Sequence, residues 1–188
     1  MNDTTDTTTA GQEAVTRIST GIPGLDEILR GGLIPERSYL VRGRPGTGKT
    51  ILGLHYLTTG VANDESALFI NLEEEIADIE QNATQLGFDL SGVDFLDLSP
   101  KSEFFTDDQG YDIFGSSQVE RDPLVETIAD RVTELEPDRV FVDPITQLRY
   151  LSADEYQFRK QALSFMRMLS EQGATVLFTT QATDSKPD

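Results

Sequence analysis

Eight consecutive residues, Gly43-Arg44-Pro45-Gly46-Thr47-Gly48-Lys49-Thr50, carry the sharpest chemical signal in the chain. They fit the pattern G-x-x-x-x-G-K-[ST], in which glycines let the backbone wrap closely around phosphates and aim N–H donors inward. In that reading Lys49 brings a point charge to the outer phosphates and Thr50 places a hydroxyl on a magnesium ion. Pro45 has no N–H, so the cradle comes mainly from residues 46–50, with Ile51 next along the helix that must follow. The helix would present the positive end of its dipole to the same phosphates. The ligands implied are ATP and Mg2+. The plainer alternative is a glycine turn before an ordinary helix.

Three further groups have types and positions suited to phosphate chemistry. Asp143 closes the apolar run Val140-Phe141-Val142. A carboxylate at the C-terminal edge of a parallel sheet lies where open α/β folds bind ligands, and beside a P-loop it can hold magnesium. Alternatively it caps the Pro144 turn. Glu73, Glu74 and Glu75 follow a second apolar run. Hydrolysis needs a carboxylate in reach of an attacking water, and crowding three of them raises at least one pKa. They also suit an acidic, solvated helix start. Gln181, after Thr180, stands where a polar side chain can sense the γ-phosphate, or simply turn the chain. His55, without a second histidine or a neighbouring nucleophile, reads as structural.

Stepping from chemistry to scaffold, residues 38–43 (SYLVRG) read as a buried strand leading into the glycine-rich loop. Residues 49–60 read as the helix after it, with Ile51, Leu52, Leu54 and Leu57 at helical spacing. Further strands are expected at 67–71, 93–98, 139–143 and 175–180. Helices are expected at 74–86, from Asp122-Pro123 to about 135, and at 154–172. Residues 99–120 are polar and acidic and read as a long loop. Strands alternating with helices imply a parallel sheet with right-handed crossovers. Residues 1–13 have almost nothing to bury and read as a disordered tail, leaving 14–188 as one domain.

Composition narrows the function further. Asp and Glu number 33 against 15 Lys and Arg, a net charge of −18, with lysine only at 49, 101, 160 and 186. Such a surface repels nucleic acid and anionic membranes, and salt screening relieves its self-repulsion. It points to a halophilic source, the plainer alternative being an acidic cytosolic domain from an ordinary organism. The absence of cysteine excludes a disulfide scaffold or thiolate metal site. No stretch approaches the roughly 18 apolar residues of a membrane helix. With an ATP-binding core these features suggest the cytoplasm.

From Ile18 onward come Thr20-Gly21-Ile22, Gly24-Leu25-Asp26, Gly31-Gly32-Leu33 and then the P-loop. With these residues the segment resembles the start of a KaiC-type domain of the RecA superfamily. The likeness continues through Phe69-Ile70-Asn71-Leu72-Glu73-Glu74 and Gln85-Leu86-Gly87-Phe88-Asp89-Leu90. It ends with Val140-Phe141-Val142-Asp143 and Gly173-Ala174-Thr175-Val176. The resemblance implies a three-layer fold with strand order 3-2-4-5-1. It implies that Glu73 or Glu74 acts on the water attacking the γ-phosphate, and that Lys49 supports the reaction. It also implies a homo-oligomer or a signalling partner.

Domains of this type continue past a fifth strand, into strands that bring a basic residue to a neighbour's ATP. This chain stops first, so trans-activation and autokinase activity are not carried over, and the P-loop strand is expected at a sheet edge. A slow Mg-dependent ATPase is the leading expectation. An ATP-governed binding or assembly module with negligible turnover is its rival. A RecA-like DNA recombination factor, against which the charge argues, and a protein kinase stand further off.

Overall fold

A computed structural model describes residues 16–102, 123–151 and 155–182. The expected tail at 1–13 and most of the expected loop at 99–120 lie outside the described residues.

The elements run α1 (Pro23–Ile28), β1 (Ser38–Gly43), α2 (Lys49–Ala62), β2 (Ala67–Asn71), α3 (Ile76–Gln85) and β3 (Val93–Asp97). They continue with α4 (Pro123–Leu135), β4 (Arg139–Asp143), a 3-10 helix (Ile145–Leu151), α5 (Glu155–Glu171) and β5 (Thr175–Gln181). The strands form one parallel sheet in the order β1-β5-β4-β2-β3, the expected 3-2-4-5-1 read from the other side. Among the described residues β1 is an edge strand, and its Leu40 is exposed.

Alternation along the strands explains the three layers, because successive side chains leave opposite faces of a sheet. Leu68, Ile70, Val140, Val142, Val176 and Phe178 point to one face, against Ile128 and Val132 of α4 and Phe165 and Leu169 of α5. Phe69, Phe141 and Leu177 point to the other, against Leu54 and Leu57 of α2 and Ile79 and Ala83 of α3. On that second face α2 lies very close to β4. A Cβ added at Gly53 would fall 2.1 Å from the Phe141 ring, so the approach depends on a position without a side chain.

Two elements were not expected from the sequence. Helix α1 is short and buries none of its residues, so it leaves no apolar periodicity. It belongs to a segment folded around Asp26, which accepts from Ser19 Oγ (2.5 Å), Thr20 N (2.8 Å) and Thr20 Oγ1 (2.7 Å). Burial works to raise the Asp26 pKa, but these bonds and the Arg139 charge outweigh it and the net shift is downward. The 3-10 helix follows Pro144, where the sequence suggests at most a turn. One expected boundary is corrected: the helix read from residue 74 begins at Ile76. Glu73 and Glu74 therefore sit in the preceding turn, not on the first turn of a helix.

Candidate functional site

The sheet register places the chemistry along one edge. The last residues of neighbouring strands pair as Gly43 with Gln181, Asn71 with Asp143, and Asn71 with Asp97. Val142 pairs with Phe178, which sets Thr179 beside Asp143. Ligands bind outside the carboxyl ends of strands in open α/β sheets, and this is that edge.

The P-loop connects β1 to α2. Gly46 and Gly48 adopt φ of +77° and +84°, a region that side chains disfavour. Gly48 is the N-cap of α2 and no side chain caps the helix, so its first N–H groups remain available to an anion. The Arg44 carbonyl accepts from Thr47 Oγ1 (2.9 Å) and from Lys49 Nζ (3.1 Å), which folds the lysine back over the loop. A Cβ at Gly43 would meet Thr47 Oγ1 at 2.5 Å, so a side chain there would displace the Thr47 hydroxyl from the Arg44 carbonyl.

Asp143 faces the loop. Thr50 Oγ1 donates to Asp143 Oδ2 at 2.6 Å, and Thr179 Oγ1 donates to Asp143 Oδ1. On the neighbouring strand, Leu72 N–H donates to the Asp143 carbonyl at 3.0 Å, and the chain then turns through the glutamates. Gln181 Nε2 donates to Glu73 Oε2 at 3.2 Å, so two side chains singled out separately meet across the sheet edge. Although Glu74 is exposed as a residue, its carboxyl is partly desolvated. That desolvation, followed by the charges of Asp143, Glu73 and Asp78, holds its pKa above the ordinary range. Crowding among the three glutamates is thus only part of the cause. Glu75 takes no part; it pairs with Lys101.

Pro45, Gly46, Gly48, Lys49, Thr50, Ile51, Glu73, Glu74, Asp143 and Gln181 all line one cleft of about 930 Å3. Gly43, Arg44 and Thr47 do not line it; they build the loop from behind. The cleft continues between α2 and α3 along Leu54, Ile79, Asn82, Gln85 and Leu86. His55 lies elsewhere, edge-on to Phe88 with ring centroids 4.8 Å apart.

The residues present fit a magnesium-bound nucleoside triphosphate. Among the described residues no cluster of three or more His, Cys, Asp or Glu could hold a metal unaided. Magnesium typically needs only one or two carboxylates when phosphate oxygens and water complete its shell, and the Thr50–Asp143 pair matches that demand.

Three side chains important to the site's build were not recognised in the sequence. Thr179 is fully buried and holds one oxygen of Asp143. Asn71 is 1% exposed and bonds into the glutamate turn. Arg139, also 1% exposed, reaches from the start of β4 to the Ser19 carbonyl (2.7 Å), the Tyr56 carbonyl (2.8 Å) and the Glu65 carboxylate. Each is a polar residue in an apolar strand, which is the signal that marks them.

Residues 18–188 match the family described as "ATPase: KaiC". The chain is 36% identical over 177 residues to a circadian clock oscillator protein KaiC of Prochlorococcus marinus subsp. pastoris, covering 90% of this chain and 33% of that one. It is 32% identical over 173 residues to a UPF0273 protein of Methanopyrus kandleri, covering 89% and 68% respectively. A UPF0273 protein of Pyrococcus furiosus gives 33% over 173 residues, covering 89% and 69%. The chain thus spans about a third of the KaiC relatives and just over two thirds of the archaeal ones. A parallel sheet in the order expected of that family, a P-loop at its edge and a match over nearly the whole length lead to one assignment: the chain belongs to the KaiC ATPase family.

Proposed function

We propose that this chain binds ATP with magnesium in the cleft at the sheet edge and hydrolyses it slowly, in a regulatory or signalling role. The observation that carries the reading is the convergence of Lys49, the Thr50–Asp143 pair and the Glu73–Gln181 pair on one cleft. Lys49 and the N–H groups of residues 46–50 would hold the phosphates, with Ile51 flanking them. Thr50 and Asp143 would hold the cation, which neutralises phosphate charge when bound. Glu74 is the better base of the pair: its raised pKa lies closer to working pH, and its carboxylate would take the proton of the attacking water. Glu73 accepts from Gln181, the residue suited to sensing the γ-phosphate, and so is less free to act as the base. The apolar wall of Ile51, Leu54 and Leu86 leaves room for the nucleoside.

The regulatory role takes its support from relatives described as circadian clock oscillator proteins. A second reading, ATP-governed assembly with negligible turnover, is favoured by the exposed apolar side chains Ile51 and Leu86 at the cleft. A second copy of the chain, or a protein partner, would cover them. The charge of −18 speaks against nucleic acid and for a cytoplasm rich in salt. No helix among the described residues is long and apolar enough to cross a membrane.

The deciding measurement is phosphate release and molecular mass with and without Mg-ATP in high salt. The parent should release phosphate, and Glu74→Gln should lower the rate by about 10²–10⁴-fold, the usual contribution of a positioned base, while keeping ATP affinity. Undiminished release in Glu74→Gln would move the base elsewhere. ATP-dependent growth in mass without phosphate release would select the assembly reading.

A further inference from the structure

We infer that Asn71 is a positioning residue for the Glu73–Glu74 pair, holding the turn that presents both carboxylates to the P-loop. The inference rests on the hydrolytic reading above. Asn71 ends β2 and is 1% exposed. Its Nδ2 donates to the Glu74 carbonyl at 2.5 Å and to Asp97 Oδ1 at 3.0 Å, while its Oδ1 accepts from the Glu73 N–H over a longer 3.4 Å. One planar amide therefore links β2, the glutamate turn and the end of β3. Asp97 Oδ1 is itself fixed, because it also accepts from the Ser99 N–H at 3.0 Å. The main chain of Asn71 is held as well: its carbonyl accepts from Leu98 N–H at 2.8 Å.

An asparagine at a strand end commonly folds onto a backbone N–H two residues ahead. That habit accounts for the contact with Glu73. It does not account for the donations to the Glu74 carbonyl and to Asp97, which need both hydrogens of a buried amide. Aspartate at this position would offer no donor and would set a second carboxylate against Asp97. Alanine would release the Glu74 carbonyl and leave the turn tied to the sheet through Leu72, whose N–H reaches the Asp143 carbonyl. The amide also explains why the chain leaves the strand as a turn and enters α3 only at Ile76.

The test compares parent, Asn71→Ala, Asn71→Asp, Glu74→Gln and the double variant Asn71→Ala/Glu74→Gln. ATP affinity, single-turnover phosphate release and hydrogen exchange of residues 72–76 are followed for each. Asn71→Ala should exchange faster in 72–76, bind ATP within about twofold of the parent, and release phosphate about tenfold or more slowly, since small misplacements cost up to 10²-fold. Asn71→Asp, which conserves volume, should show the same pattern should the alanine variant fold poorly. In the Glu74→Gln background, Asn71→Ala should cost nothing further, because it acts through that glutamate. Parental turnover in Asn71→Ala, or an undiminished second loss in the double variant, would remove the role for Asn71 and leave the hydrolytic reading intact. A parent that releases no phosphate would bring down both.

Discussion

At its first residue β4 buries Arg139, and at its last it half-exposes Asp143. Both groups are charged and both are held by several hydrogen bonds, yet they are held differently. Arg139 meets the carboxylate of Glu65 and two backbone carbonyls, and its guanidinium lies over the Tyr56 ring at 4.9 Å. Its charge is cancelled inside the protein. Asp143 meets two hydroxyls, Thr50 and Thr179, which orient its oxygens without cancelling its charge. A buried cation must have its acceptors permanently, whereas a carboxylate oriented by neutral donors keeps its affinity for a cation that comes and goes. One end of the strand is an internal joint between α2, the N-terminal segment and the sheet; the other lines the candidate cleft.

The sharpest way to break this contrast is at the joint. Arg139→Met removes the buried partner of a partly solvated Glu65 and should cost about 3 kcal/mol of stability by denaturant unfolding, the lower end of the loss when one member of a buried pair is removed. Turnover per folded molecule should survive. Loss of turnover with stability intact would erase the distinction. Next comes Lys49→Ala, expected to slow phosphate release by about 10²–10³-fold, on the scale of one lost donor to a developing charge. Its thermal midpoint without nucleotide should stay near that of the parent.

Thr179→Val should cost about 1 kcal/mol, because it strips a donor from an acceptor that is only partly buried. Under the proposed function, saturating Mg-ATP should recover part of that loss in a thermal shift assay, because Asp143 would then help to hold the cation.

The smallest effect concerns Glu74. Its pKa is raised in the folded chain, chiefly by desolvation and then by Asp143, so folding favours its protonated form. Its ionisation therefore costs no stability below the ordinary value of 4.5 and an increasing amount as pH rises through the higher folded value. Glu74→Gln should accordingly raise the melting temperature of the nucleotide-free chain slightly near pH 7 and leave it unchanged near pH 4. A lowered midpoint at pH 7 would mean that the carboxylate stabilises the turn.

Much of this arrangement is legible without coordinates, and the reason is proximity in sequence. The P-loop is contiguous, so its glycines, lysine and threonine declare themselves together. The strands read clearly because both faces of the sheet are covered, making 67–71 and 139–143 short apolar runs. What escapes is whatever depends on a partner far along the chain. Thr179 has meaning only beside Asp143, Arg139 only beside Ser19, Tyr56 and Glu65, and Asn71 only beside Asp97. The start of α3, two residues later than periodicity places it, escapes for a local cause. Periodicity favoured a helix from residue 74, while the Asn71 amide takes the Glu74 carbonyl. Helix α1 escapes for a different one: it buries nothing and shows no stripe.

The bare position at Gly53 reaches further than its neighbourhood in the core. Thr50 stands one helical turn before Gly53, and Asp143 stands two residues after Phe141 on the same side of β4, so the two contacts are successive rungs between one helix and one strand. The spacing of hydroxyl and carboxylate is thereby gauged by an aromatic ring pressed against backbone. The gap between hydroxyl and carboxylate is thus set from inside the molecule, and a larger side chain at position 53 would widen it without altering either group.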